Sequence, residues 1–117
     1  MNKDLRSFIG EARQLGQAFY ANVSRPVDPI FEPCVIQQKL AAEGRYPLIR
    51  CENVNGSELP LLTNLFGNYD LLGLALGVDP DEPKSTILQR FIEREANPLP
   101  TKKIDPADAP VKQRVLL

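Results

Sequence analysis

Leu5, Phe8, Ile9, Ala12 and Leu15 recur three and four residues apart, the spacing that lines one side of a helix. They predict a one-sided helix over residues 4–16, capped by Asp4 and ended by Gly16. The pattern then shortens. Ala18 to Val23 is aromatic and β-compatible and reads as a strand, stopped at Ser24-Arg25-Pro26 because proline cannot donate to a ladder. Val27-Asp28-Pro29 forms a tight entry to a second helix over Pro33 to Glu43, with Val35, Ile36 and Leu40 as its apolar face and Gly44 as its stop. Pro47 to Val54 reads as a strand, Asn55-Gly56 as a tight hairpin turn, and Leu59 to Phe66 as the returning strand, with Pro60 at an edge or at the strand start.

Asp70 is placed to cap a short helix through Leu71, Leu72, Leu74, Ala75 and Leu76, apolar nearly all round and therefore covered on most sides. After the Asp79-Pro80-Asp81 break, a helix over Pro83 to Ala96 puts Ile87, Leu88, Phe91 and Ile92 on one face and Arg90 with Glu93 on the other. From Asn97 the periodicity disappears. Pro98, Pro100, Pro106 and Pro110 mark an extended arm, and Val111 to Leu117 reads as a closing strand. The expected fold is α/β in the α+β sense: a small mixed sheet containing a hairpin, flanked by about four helices, with an extended C-terminal arm. Residues 1–97 form the N-terminal α/β domain, 98–110 a proline-rich linker, and 111–117 a strand entering or pairing with a neighbouring domain. A domain that finishes on a bare apolar strand points to a fragment or a small subunit, with Val111, Val115, Leu116 and Leu117 as the candidate interface.

Composition narrows the chemistry. The 117 residues suffice for one ordinary domain, and they contain no histidine, which removes Ser-His and Cys-His nucleophiles and the commonest metal ligand. Any catalysis within the chain has to rest on carboxylates, lysines or a borrowed cofactor. Fourteen basic and fifteen acidic residues, scattered without a basic stripe, argue against nucleic-acid binding. No apolar run is long enough to span a bilayer and the N-terminus lacks a signal core, so the expectation is a cytoplasmic chain that does not enter a membrane. Cys34 and Cys51, outside any C-x-x-C pair, are expected as buried reduced thiols.

The candidate motifs read as structure. The seven glycines make no phosphate cradle, and Gly73-Leu74-Ala75-Leu76-Gly77 is expected to permit close helix packing. Asp79, Asp81 and Glu82 could bind a hard cation or serve a carboxylate-based hydrolase. They lack the calcium-loop spacing, however, and fit a helix entrance better. Arg50 and Glu52 share one strand face as surface ion pairs do, and Lys84 is a further isolated charge. Thr63, Asn64 and Asn68 are polar groups of the kind that cap and turn.

Glu52-Asn53-Val54-Asn55-Gly56-Ser57, then Pro60-Leu61-Leu62-Thr63-Asn64-Leu65-Phe66-Gly67 and Leu74-Ala75-Leu76-Gly77, resemble the N-terminal domain of the UbiD family of decarboxylases. Leu5-Arg6-Ser7-Phe8-Ile9, Val27-Asp28-Pro29 and Pro98-Leu99-Pro100 through Val115 extend the resemblance in order over nearly the whole chain. It implies reversible, non-oxidative decarboxylation of aromatic or α,β-unsaturated acids by a complete enzyme that uses prenylated FMN, a divalent metal, usually Mn2+, and K+. The family's Glu-Arg-Glu catalytic set and its Asn, His and Glu metal ligands belong to a flavin-binding domain beyond this chain. The resemblance therefore implies no catalytic, cofactor-binding or metal residue here, a flavin-binding catalytic domain or subunit as partner, and an oligomeric complete enzyme. The rival expectation is a stand-alone interaction module of the same fold, pairing through its terminal strand.

Overall fold

A computed structural model describes residues 4–112. Helix α1 spans Leu5–Gln14 and opens on a reciprocal cap: the Ser7 amide donates to the Asp4 carboxylate at 2.8 Å and the Asp4 amide donates to the Ser7 hydroxyl at 3.0 Å. Strand β1 (Tyr20–Val27) leads through α2 (Glu32–Ala42) to β2 (Leu48–Val54), which pairs parallel to β1. Strand β3 (Leu61–Thr63) returns antiparallel to β2, so the three-stranded mixed sheet has the order β1-β2-β3. Helices α3 (Tyr69–Leu76) and α4 (Lys84–Ala96) follow, then an extended segment with short 3-10 turns at Pro106–Asp108 and Pro110–Lys112. The fold is α+β, with four helices around a mixed sheet that contains a hairpin.

The sheet is covered on both faces by different elements, and the alternation along β2 decides which residue goes where. Leu48 points to one side, where it joins Phe8 and Ala12 of α1 and Leu71 and Leu74 of α3 in a buried cluster. Ile49 and Cys51 point to the other, where with Val27 they pack under Ile36 and Leu40 of α2. The central strand is thus apolar in both directions over its first residues, as a strand buried on both faces must be.

Several sequence expectations are corrected. Strand β1 does not stop at Pro26 but runs to Val27, with a register shift between Val23 and Pro26. Proline is tolerated because β1 is an edge strand and the irregularity falls where its missing N–H would otherwise be needed. The hairpin is tight at its tip, where the Ser57 amide donates to the Val54 carbonyl at 3.0 Å and Gly56 takes φ +79. A regular continuation would place Pro60 opposite Cys51, yet Leu61 is found there; the extra residue leaves Pro60 outside the ladder and shortens β3 to three residues. Helix α3 is capped by Asn68, whose side chain accepts from the Leu71 amide at 2.9 Å, and not by Asp70, which lies in its first turn. Val35 does not join the α2 face that covers the sheet and is exposed. Cys34 is exposed too, and only Cys51 is buried. Val111 and Lys112 sit in a 3-10 turn and do not begin a strand; the rest of that expected strand lies outside the described residues.

Candidate functional site

The polar residues around the end of β3 build one local device. Asn64, in the left-handed region at φ +57, donates its side-chain amide to the Pro47 carbonyl at 2.9 Å. Asn68 donates to the neighbouring Tyr46 carbonyl at 3.0 Å while capping α3. Two asparagines therefore hold the two carbonyls that lead into the central strand. Between them Gly67 has no room for a side chain: a Cβ there would lie 2.2 Å from the Asn64 amide nitrogen and 2.7 Å from the Tyr46 oxygen. The Thr-Asn-Leu-Phe-Gly-Asn stretch is thus a clamp that fixes β2 against α3, in keeping with the capping and turning role expected of Asn64 and Asn68.

The charged candidates do not converge. Arg50 pairs with Glu52 at 2.9 Å on the sheet surface, whereas Lys84 meets Asp70 and so links the start of α4 to the start of α3. Glu82 turns back to accept from the Asp79 amide at 3.0 Å, closing the turn before α4, and Pro83 occupies the cap position. Among the described residues, no three His, Cys, Asp or Glu side chains gather as metal ligands would. They offer no fit for the divalent metal that the resemblance implies. Gly73 packs against Ile87 of α4, where an added Cβ would come within 3.1 Å, and Gly77 ends α3 at φ +77; both serve helix packing and termination.

The most unusual local geometry lies at the turn from β1 into α2. Phe31, at the N-cap, adopts φ +64, a left-handed conformation that a bulky side chain rarely takes, and it is 78% exposed beside Ile30, 70% exposed. A polar frame holds the turn. The Glu32 carboxylate accepts from the Asp28 amide at 2.6 Å and pairs with Arg25; Asp28 accepts from the Ile30 amide at 2.9 Å; and the Glu32 amide donates to the Ile30 carbonyl at 2.8 Å. The Asp28 N–H, followed by the Arg25 guanidinium, holds the Glu32 carboxyl below its ordinary range. On the opposite side of α2, burial pushes the Cys51 thiol up, with the nearby Glu32 charge adding to it. Sequence reasoning passed over this turn as an entry segment. The available signal was two large apolar residues, Ile30 and Phe31, between Pro29 and Pro33, where turns ordinarily carry polar groups.

Helix α4 buries only Ile87 of its expected apolar face; Leu88, Phe91 and Ile92 are each more than half exposed. An open groove lined by Thr86, Gln89, Arg90, Ile92 and Glu93 runs along it. Of the expected interface, Val111 is exposed, and Val115, Leu116 and Leu117 lie outside the described residues. No described helix is long and apolar enough to cross a membrane.

The described residues thus form a βαβ-plus-hairpin sheet held by an asparagine clamp, and no three metal-ligating side chains gather among them. Residues 20–91, more than half of the chain, match the 3-octaprenyl-4-hydroxybenzoate carboxy-lyase N-terminal domain of the UbiD family, and the chain belongs to that family. Among solved structures it is similar to Sedimentibacter hydroxybenzoicus vanillic acid decarboxylase in its open form, with a TM-score of 0.80 and 25% sequence identity. The match covers 99% of this chain and 25% of that one, so the chain spans a quarter of the length of the decarboxylase chain it resembles.

Proposed function

We propose that this chain is the N-terminal domain, or a separately encoded small subunit, of a UbiD-like decarboxylase that reversibly removes carbon dioxide from aromatic or α,β-unsaturated acids. The observation that carries the reading is the match of nearly the whole chain to one quarter of a vanillic acid decarboxylase chain. Prenylated FMN, with Mn2+ and K+, would supply the electron sink of the complete cytoplasmic, oligomeric enzyme, and this chain would not hold it. Its own contribution is scaffolding. The asparagine clamp and the double-faced sheet make a rigid block, and the arm from Asn97 through Val111 to Leu117 leads into the flavin-binding part, where Val111, Val115, Leu116 and Leu117 form the junction.

Purification of the protein from its native source, with mass spectrometry of everything that travels with it, tests the reading. The expected result is a flavin-bearing chain in fixed ratio, or a longer form of this chain that carries the flavin-binding part. Recovery of the chain alone, at its own mass and without any flavin-bearing companion, would favour the stand-alone module and contradict the proposal.

A further inference from the structure

The turn that leaves β2 sets an asparagine directly before a glycine and engages the reactive group of neither. The Ser57 amide closes this turn on the Val54 carbonyl at 3.0 Å, and Gly56 alone of the four residues has a positive φ, +79, which gives the turn the φ signs of type II. Asn55, Gly56 and Ser57 are all exposed, and a Cβ added at Gly56 would meet nothing within 4 Å. Among the described residues, the Asn55 side-chain amide and the Gly56 N–H have no hydrogen-bond partner. The Ser57 hydroxyl is occupied elsewhere, accepting from the Leu59 amide at 3.0 Å.

A side-chain carboxamide is attacked by the next backbone nitrogen when that nitrogen can swing onto it, and a glycine there removes the side chain that would obstruct the approach. The peptide between Asn55 and Gly56 is the central one of the turn. With glycine in the third position, the type I and type II settings are both open to it, so it can rotate while Val54 and Ser57 stay in place. The other described asparagines lack this combination. Asn53 gives its side-chain amide to the Ser24 carbonyl at 2.5 Å and precedes Val54. Asn64 and Asn68 are occupied in the clamp and precede Leu65 and Tyr69. Asn22 precedes the β-branched Val23 within β1, and Asn97 precedes Pro98, which has no N–H.

We propose that Asn55 is a site of spontaneous covalent modification, converting through a cyclic imide to an aspartyl or isoaspartyl residue at the hairpin tip. The Gly56 nitrogen bonds to the Asn55 Cγ and gives its proton to solvent; the Cγ–Nδ2 bond breaks, and the amide nitrogen takes up a proton and leaves as ammonia. Water, the co-reactant, then opens the ring at either carbonyl carbon. Attack at Cγ restores the ordinary peptide and leaves a side-chain carboxylate, whereas attack at the backbone carbonyl carbon leaves the chain running through the former side chain, one methylene longer. Either product adds one negative charge to a chain of net charge −1. The longer product also stretches the turn between the Val54 carbonyl and the Ser57 amide. Its extra methylene follows the Asn55 Cα, so the bond from the Asn55 amide to the Val27 carbonyl, 2.9 Å, is kept.

The test ages the full chain at physiological temperature and mildly alkaline pH. Each asparagine is followed by peptide mass spectrometry, isoaspartyl residues are counted by enzymatic methylation, and an end-capped peptide spanning Val54 to Glu58 is aged beside it. Position 55 is expected to convert at least tenfold faster than any other described asparagine and within tenfold of the peptide, giving both products. In the isoaspartyl form, separated by ion exchange, the Ser57 amide is expected to exchange hydrogen at least tenfold faster while the Asn55 amide is unchanged. Asn55→Gln, whose longer side chain closes the ring poorly, is expected to remove the new acidic species with an unchanged circular dichroism spectrum. Conversion led by another asparagine, position 55 lagging the peptide by more than tenfold, or an acidic species that persists undiminished in Asn55→Gln overturns the proposal. An isoaspartyl form whose Ser57 amide exchanges as before overturns the effect assigned to the hairpin.

Discussion

At the scale of single residues, two glycines and one phenylalanine carry the sharpest expectations. Gly67→Ala forces a methyl group against the Asn64 amide and the Tyr46 carbonyl, and overpacking of that kind costs about 1–3 kcal/mol. Gly10→Ala, in the middle of α1 with nothing within 4 Å of an added Cβ, should instead stabilise by about 1 kcal/mol through helix propensity. Urea midpoints of the two variants should move in opposite directions; a neutral Gly67→Ala would mean that the clamp is looser than described. Phe31→Asn relieves the left-handed strain with a residue that tolerates it and can cap, so the isolated chain should gain about 1 kcal/mol. Acid should loosen the same turn. Because Glu32 is held below its ordinary value of 4.5, its contribution is complete above that pH and is lost as the pH falls through the lowered folded value. Stability measured from pH 7 down to pH 3 should therefore show wild type ahead of Glu32→Gln above about 4.5 and converging with it below; parallel curves would contradict the role given to Glu32.

At the scale of elements, α4 is held to the fold chiefly through α3. Its one buried apolar side chain, Ile87, sits against Gly73 of α3, with the exposed Lys84–Asp70 pair beside it. Ile87→Ala should cost about 2–4 kcal/mol and raise hydrogen exchange throughout α4 before the sheet is affected; uniform exchange across the whole chain would show that α4 is not a separable unit. The elements themselves were largely legible, because hydrophobic period separates α1, α3 and α4 from the strands without reference to tertiary structure. What was not legible depended on neighbours. Pro26 reads as a stop until β1 is known to be an edge strand, and Pro60 reads as part of β3 until the register puts Leu61 opposite Cys51. The choice of Asn68 over Asp70 as cap rests on the bond from Asn68 to the Tyr46 carbonyl, twenty-two residues away, which local pattern does not contain. Val35 and Ile36 are adjacent apolar residues on one helix, and periodicity alone could not say which of them faces the sheet.

At the scale of the whole molecule, the absence of histidine changes its meaning. It limits what chemistry the 117 residues could perform, and the proposed function asks none of that chemistry of them. The candidate carboxylates have local structural partners: Glu82 closes a turn, Asp70 pairs with Lys84, and Glu32 orders the turn into α2. The central claim is that this chain contributes structure to a decarboxylase whose chemistry resides in another part. Release of carbon dioxide from an aromatic or α,β-unsaturated acid, measured side by side for the chain alone supplied with prenylated FMN and for the complete assembly, tests it most directly. Turnover confined to the assembly is the predicted result; turnover by the 117-residue chain alone, or tight stoichiometric binding of the flavin to it, would contradict the account.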